Sequence, residues 1–151
     1  MLILWRRDPF QFQNWAVEYV SGFCTNKKTR DGGVDGRLYF KERGRRGQSN
    51  LKGMIISVKG GKLNLSDVRD LMGVVTSDPQ GVFGGIISFD EPTKAMRDFQ
   101  AEQGLYQGNK QYPVLQFLSV KEMLENKRLF NIPNTVNRKD TNKNRQQEIY
   151  F

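Results

Sequence analysis

The hydrophobic and polar positions near the start of the chain follow a helical period. In residues 8–23, apolar side chains recur at intervals of three or four positions, which places them on one face of an α-helix. Asp8 is a suitable N-cap, and Pro9 suits the first helical position. We therefore predict a helix over residues 8–23, with an apolar face formed by Phe12, Trp15, Ala16, Tyr19, Val20 and Phe23.

Two strands and a long polar loop are predicted next. After a basic, polar segment at residues 25–32, the stretches 34–40 and 54–58 have the composition of β-strands. The residues between them, KERGRRGQSN at 41–50, include no apolar side chain. Two strands joined in this way most simply form a β-hairpin, so we expect residues 41–50 to be its loop.

The second half of the chain alternates between helical and strand patterns. Ser66 can cap a helix whose apolar side chains share one face, namely Val68, Leu71, Met72 and Val75. The run VFGGIISF at 82–89 is almost continuously apolar, as in a strand that is covered on both faces. A strand followed by a helix and another strand is typical of an α/β sheet.

Local capping signals define two further helices. Thr93 can cap a helix that ends at Gly104, and residues 114–118 form another strand. Ser119 followed by Glu122 matches a capping box at the start of a short helix. We predict one α/β domain over residues 1–133, with a mixed sheet between helices, and a disordered polar tail over residues 134–151.

The charge of the chain is concentrated in one region. The net charge is +8, and residues 27–59 hold ten basic side chains but three acidic ones. A positive region of this kind attracts polyanions such as nucleic acid. A basic loop that serves solubility alone is the other interpretation of this stretch.

The composition excludes several kinds of site. With no histidine and only Cys24, the chain cannot form a Ser-His-Asp triad, a zinc site rich in His or Cys, or an iron–sulfur cluster. Any metal must be held by oxygen ligands, which favours magnesium, manganese or calcium. The sequence has no apolar stretch of spanning length and no secretory pattern at its start, so we expect no membrane association and a cytoplasmic location.

Two short motifs place a carboxylate, a hydroxyl and an amine at the open end of the predicted hairpin, away from its loop. GGVDG contains Asp35 at the start of the first strand, and IISVKGG contains Ser57 and Lys59 at the end of the second. Side chains two positions apart in a strand share a face, so pairing of the strands can bring Asp35 beside both. The predicted arrangement is one carboxylate and one amine at a sheet edge, within the basic region.

These motifs resemble those of the PD-(D/E)xK nuclease superfamily, and in particular Mrr-like restriction endonuclease domains of a branch often associated with DNA methyltransferases. DPFQFQNWAVEYV resembles the opening helix, DGGVDG the aspartate motif, SVKGG the lysine motif and VRDLMGVV the next helix. The resemblance continues through GGIISFDEPTKAMRDFQAEQGLY and covers about residues 8–133. It implies a restriction-endonuclease-like fold of three layers, with a mixed central sheet flanked by helices.

The resemblance also implies a mechanism and a set of residues. Asp35 would bind Mg²⁺ or Mn²⁺ together with the backbone carbonyl of Val58, and Lys59 would orient the attacking water and stabilise charge on the phosphate. DNA would be the partner. Its phosphates would be held by Lys27, Lys28, Arg30, Arg37, Lys41, Arg43, Arg45, Arg46 and Lys62.

The sequence departs from the family at two positions. Ser57 stands where the family has an acid or glutamine, and Gln11 stands where it has an acid near the start of the first helix. Glu18, two helical turns later, is a substitute candidate for Gln11, although a solvent-facing glutamate is the simpler interpretation. Asp35 between glycines is also consistent with an ordinary turn. Asp67 and Asp70, expected in the first turn of a helix, are assigned to its dipole rather than to the metal.

Three functions remain open from the sequence. The first is a metal-dependent DNA endonuclease domain of restriction type, for which two cuts on a duplex would favour a homodimer. The second is an inactive or catalytically weakened DNA-binding module that keeps the nuclease fold. The third is a module that recognises only a protein partner such as a separate methyltransferase, which would leave the basic region unexplained.

Overall fold

The computed structural model describes residues 2–25, 34–44, 46–133 and 135–136. Five helices lie within these ranges: α1 Leu2–Arg7, α2 Pro9–Tyr19, α3 Leu65–Ser77, α4 Lys94–Gln103 and α5 Val120–Asn126. The strands in the same ranges are β1 Phe23–Cys24, β2 Gly36–Arg43, β3 Ser49–Lys59, β4 Gly81–Ser88, β5 Leu105–Gln107, β6 Gln111–Pro113, β7 Leu115–Ser119 and β8 Thr135–Val136.

The central sheet is mixed, as the sequence predicts. Its strands are ordered β1-β2-β3-β4-β7, and β8 pairs with β2 beside β1. The β1, β2, β3 and β8 pairings are antiparallel, whereas β3, β4 and β7 run parallel. The β3–α3–β4 and β4–α4–β7 connections supply the helices that parallel neighbours require. Strands β5 and β6 form a separate hairpin.

Apolar cores cover both faces of this sheet. On one face, α2 and α5 pack against β2, β3 and β4 through residues such as Phe12, Val17 and Met123. On the other, α3 and α4 pack against the same sheet through residues such as Leu71 and Met96. The predicted three-layer α/β arrangement is therefore confirmed. In β3 the side chains alternate between the two cores, so Ile55, and with it the odd-numbered residues, faces α3.

The first predicted helix is shorter than expected. Helix α2 ends at Tyr19, and Ser21 follows with a φ of 64°. Phe23, predicted on the apolar face of the helix, instead belongs to β1 and pairs with Arg37 of β2. The apolar spacing continues past the true end of the helix because Phe23 is also partly covered in β1, where its ring lies 5.6 Å from that of Tyr39. The additional helix α1 precedes α2 and was not predicted.

The predicted hairpin is correct, but its loop is much shorter than expected. Strand β2 extends to Arg43 and β3 begins at Ser49, so half of residues 41–50 lie in the ladder. These positions lack the apolar alternation of a strand because they are exposed on the surface. Hydrophobic alternation detects a strand only where one of its faces is buried, so it did not predict this pairing.

The predicted N-caps of α4 and α5 are correct, whereas the predicted N-cap of α3 is wrong. Thr93 and Ser119 are the N-caps of α4 and α5, accepting bonds from the Met96 and Glu122 N–H groups, and Gly104 ends α4 with a φ of 79°. These predictions are confirmed. The cap of α3 is Asn64 rather than Ser66, which already lies inside the helix. Consequently Asp67 is in its first turn but Asp70 is not.

Two sequence predictions concern segments at the edge of the described ranges. Thr135 and Val136, within the predicted polar tail, pair with Phe40 and Tyr39 as β8. The remaining tail positions, 134 and 137–151, lie outside the described residues, as do most of the predicted basic segment 25–32. In the part of the chain that the structure describes, no helix is both long and apolar enough to cross a membrane.

Candidate active site

Asp35 lies immediately before β2, and β3 holds both its backbone and its carboxylate. The backbone N–H of Asp35 donates to the carbonyl of Ile56 at 2.8 Å. The N–H of Val58 donates to Oδ2 of Asp35 at 2.7 Å. Because Gly36 pairs with Ile56, the preceding residue Asp35 comes alongside Ser57 and Val58. The hairpin therefore makes the juxtaposition that the two sequence motifs predict.

The environment of Asp35 is unfavourable for its negative charge. Burial raises the pKa of Asp35 from 3.8 to about 6, although the Val58 N–H bond and the positive charge of Lys59 both lower it. Desolvation is thus the larger effect. The carboxylate is ionised at neutral pH at a cost, and a positive charge brought to it would offset that cost. A strongly perturbed carboxyl beside a cation is a common mark of a functional site.

Gly36 has a packing role beside Asp35. A Cβ atom added to Gly36 would lie 2.4 Å from Cγ1 of Val17, a fully buried residue of α2. Glycine is therefore required here by the close approach of α2. The interpretation of this stretch as an ordinary turn is therefore incomplete, because the packing of α2 accounts for Gly36.

Lys59 is the last residue of β3 and faces the start of α3. Its Nζ lies 3.7 Å from Oδ1 of Asp67, while Oδ2 of Asp67 accepts the backbone N–H of Asn64 at 3.0 Å. One carboxylate therefore both caps α3 and attracts the lysine. Sequence reasoning assigned Asp67 to the helix dipole alone. The three-residue spacing from Asn64 to Asp67 could have indicated the capping role from sequence. The contact with Lys59 is visible only in the folded structure.

An open cleft of about 680 Å³ lies between α3 and the end of β3. Ser57 and Lys59 contribute its sheet side. Its helical side is formed by Asp67, Arg69, Asp70, Leu71, Gly73, Val74 and Ser77. Its volume is within the range of small-molecule and cofactor sites, and both signs of charge are present. This cleft gives a substrate access to Lys59.

Trp5 of α1 covers the chain just beyond Lys59. A Cβ atom on Gly60 would come within 1.7 Å of Nε1 of Trp5, so the indole rests directly on the glycine. Helix α1 thereby closes one side of the strand end that carries Lys59.

Gln11 and Glu18 lie on α2, whose buried side packs on the sheet face opposite α3. The backbone N–H of Gln11 donates to the Asp8 cap at 3.1 Å, and the Gln11 side chain is exposed. Glu18 is also exposed and lines a different groove, with Lys127 opposite. Their catalytic roles remain predictions. Within the described ranges, no three Asp, Glu, Cys or His side chains form a metal-binding cluster.

The predicted DNA-binding residues fall into three groups. Arg37 donates from Nη2 to Oδ2 of Asp78 at 2.8 Å, and this hydrogen bond lowers the pKa of Asp78. The charge of Arg37 is therefore paired within the protein. The side chains of Lys41, Arg43, Arg46 and Lys62 are exposed. Lys27, Lys28, Arg30 and Arg45 lie outside the described residues.

The three-layer arrangement, with a strand-end aspartate and lysine on adjacent strands, is a restriction-endonuclease-like fold. The structure is similar to a solved chain described as MspJI restriction endonuclease in complex with a 27-mer oligonucleotide, with a TM-score of 0.55 and 12% sequence identity. The similarity covers 78% of this chain and 27% of that chain. This chain therefore spans about a quarter of the length of the protein it matches.

At 12% sequence identity, the comparison establishes the fold alone. No protein-family model matches the sequence, and no curated protein matches it. The resemblance to the Mrr-like branch accordingly stays a prediction that rests on the sequence motifs.

Proposed function

We propose that this chain is a metal-dependent DNA endonuclease domain of restriction type, which hydrolyses phosphodiester bonds. The observation that carries the proposal is the position of Asp35. Its carboxylate accepts the Val58 N–H, alongside Ser57 and within the electrostatic influence of Lys59, at the carboxyl end of β3. A carboxylate and a lysine on adjacent strands supply what a nuclease of this fold needs without histidine.

Each residue has a distinct role in the proposed reaction. The Asp35 carboxylate and the Val58 carbonyl would hold Mg²⁺ or Mn²⁺, and a bound ion would polarise the phosphodiester and lower the pKa of its water. Lys59 would place a positive charge where negative charge develops on the phosphate. Asp67, 3.7 Å from the Lys59 amine, would limit the positions that this amine occupies.

The donor atoms suit a hard cation that keeps most of its water. They comprise one carboxylate, backbone carbonyl oxygen and the Ser57 hydroxyl, all of oxygen type. Magnesium characteristically retains several waters and takes one or two carboxylates. The raised pKa of Asp35 supports the same assignment, because a cation would compensate for the desolvated charge.

A catalytically inactive DNA-binding module is the second candidate. It is favoured by Ser57 at the position of a family carboxylate and by the lack of a three-residue metal cluster among the described side chains. Calorimetric titration with Mg²⁺ separates the two, since an inactive module takes up no ion at Asp35. Ser57→Glu and Gln11→Glu restore the family residues, and a gain of cutting in either would identify the missing ligand.

Plasmid cleavage with Mg²⁺ or Mn²⁺ tests the main proposal. Asp35→Ala and Lys59→Ala should each reduce the cleavage rate by roughly a hundredfold or more. Asp98→Ala and Lys94→Ala are matched controls on the exposed surface of α4 and should cut at the parental rate. If both site variants cut as fast as the parent protein, the mechanism is wrong.

The remaining parts of the proposal concern partners and location. DNA would contact Lys41, Arg43, Arg46 and Lys62, together with the predicted residues outside the described ranges. A homodimer, a functional association with a DNA methyltransferase and a cytoplasmic location complete the proposal. Sedimentation with and without duplex DNA would measure the oligomeric state.

A further inference from the structure

The far half of the β2–β3 hairpin extends beyond the rest of the central sheet. Strand β4 pairs with β3 from Gly53 onward, and β8 pairs with β2 only at Tyr39 and Phe40. Residues 41–51, which we call the basic ribbon, therefore pair only with each other within the described sheet. Nearly all of their described side chains are exposed. The ribbon presents two faces and its tip to solvent.

The ribbon is anchored at its base. The Tyr106 hydroxyl donates to Oε2 of Glu42 at 2.7 Å. The adjacent Phe40 ring packs against Phe83 and Tyr106, with centroids 5.6 and 5.7 Å away. These contacts fix the direction in which the strands leave the core. They also engage Glu42, the single acid of residues 41–52.

Hydrogen bonds join the described residues at the tip of the ribbon, where position 45 lies outside the described residues. The Gly44 N–H donates to the Gln48 carbonyl at 2.7 Å, and the Arg46 N–H donates to the Gln48 side chain at 3.1 Å. Gly47 has a φ of 79°, a conformation that favours glycine. The two strands are therefore held in register at both ends.

The chemistry of the ribbon matches the edges of DNA bases. On one face, Lys41 and Arg43 lie opposite Leu51 and Ser49, and Asn50 lies on the other. Arginine recognises guanine, serine can bond to more than one base, and apolar side chains contact the thymine methyl group, so the face with Arg43, Ser49 and Leu51 offers all three contacts. A two-stranded ribbon fits the major groove, which is about 12 Å wide, whereas the minor groove of about 6 Å is too narrow.

We propose that the basic ribbon enters the major groove of duplex DNA and reads base edges there through Arg43 and Ser49, which are paired on one face of the ribbon. This inference rests on the proposed function and adds sequence recognition to it. The face that carries Lys41 and Arg43 is also the face of Lys59, since all three are odd-numbered residues of paired strands. Eight residues separate Asp35 from Arg43, or about 27 Å of strand. The bases read thus lie within about one helical turn of the cleaved bond.

Duplex binding in EDTA tests the inference separately from cutting. The probe is a pool of duplexes with randomised sequence, from which each protein selects its preferred bases. Arg43→Lys keeps the charge but removes the bidentate geometry. We expect it to bind random duplex within about twofold of the parent with the same salt dependence, while the preference for selected over random sequence falls about tenfold. Ser49→Ala should reduce that preference to a smaller extent, whereas Asn50→Ala, on the opposite face of the ribbon, should leave it unchanged.

Two controls and a groove-specific probe complete the experiment. Lys121→Gln and Asn126→Ala alter exposed residues of α5 and should leave the selected sequence unchanged. Methylation of guanine N7, in the major groove, should block binding of the parent protein, whereas methylation of adenine N3, in the minor groove, should not. A parent protein without base preference would overturn the inference. So would an unchanged preference in both Arg43→Lys and Ser49→Ala. Neither result would bear on cleavage, which Asp35→Ala tests independently.

Discussion

The two ends of the β2–β3 hairpin use charged residues in opposite environments. At the open end of the hairpin, Asp35 and Lys59 are half-buried beside the end of β3, and burial raises the pKa of Asp35 to about 6. At the far end, Lys41 and Arg43 are exposed on a ribbon without a covering layer. Desolvation changes the chemistry of a charge, while exposure leaves it screened by salt. The open end is suited to catalysis and the far end to recognition.

The largest expected effect comes from neutralising Asp35. Asp35→Asn removes the charge but keeps an oxygen that can accept the Val58 N–H. We expect cleavage to fall by roughly a hundredfold or more, while the free energy of unfolding at pH 7.5 rises by on the order of 2 kcal/mol, because the buried charge is gone. Chemical denaturation measures the second effect.

The pH dependence gives this prediction a sign. The pKa of Asp35 is about 6 when folded and near 3.8 when exposed, so between these values the folded state binds more protons. The parent protein should therefore lose stability as the pH rises from 4 to 6, and the advantage of Asp35→Asn should appear over that interval and remain above it. An equal difference between the two proteins at pH 3.5 and pH 7.5 would contradict this origin.

Packing at the open end provides the next prediction. Gly36→Ala would place a Cβ atom 2.4 Å from Cγ1 of Val17, and we expect a loss of about 1 to 3 kcal/mol in the free energy of unfolding. Gly73→Ala, on the exposed side of α3 where a Cβ atom meets no neighbour, is the matched control. It should be neutral or stabilising, since alanine favours helix. Thermal denaturation of both variants decides whether the contact is real.

The features of this fold that the sequence predicts well are those that depend on residues close together in the chain. Thr93 and Ser119 cap their helices with bonds to residues three positions away, so a short sequence window contains the information. The polar ribbon was predicted as loop because it buries nothing that would create a period of two. Arg37 and Asp78 are 41 positions apart, and no local pattern connects them. The same limit applies to Lys59 and Asp67, whose contact depends on how α3 returns to the sheet.

A smaller effect should follow from removing the charge of Asp67. In Asp67→Asn, an amide oxygen can still accept the Asn64 N–H, so the helix cap is preserved, but the attraction on Lys59 is lost. The pair is partly exposed, with 34% of the Lys59 and 24% of the Asp67 side chain accessible, and such pairs contribute up to about 1 kcal/mol. We expect the catalytic rate to fall by about threefold to fivefold.

The same variant distinguishes positioning from stability. Asp70→Asn changes another acid of the same cleft and should cut at nearly the parental rate. Single-turnover cleavage at saturating DNA, compared with DNA affinity in EDTA, separates the chemical step from binding. If Asp67→Asn lowers only the melting temperature, or if Asp70→Asn has the same effect on rate, Asp67 does not position Lys59.

The smallest effect is expected at the ribbon tip. Gly47 has a φ of 79° but no atom within 4 Å of an added Cβ, so Gly47→Ala introduces conformational strain without a clash. We expect a loss of about 1 kcal/mol, smaller than that of Gly36→Ala, because the open end is packed and the tip is not. Hydrogen exchange should locate the loosening in residues 43–49. Protection of the Val58 amide, which donates to Asp35, should be unchanged relative to global stability. A matching local loss of protection at Val58 would show that the two ends of the hairpin are coupled. In that case, recognition by the ribbon can influence the catalytic end.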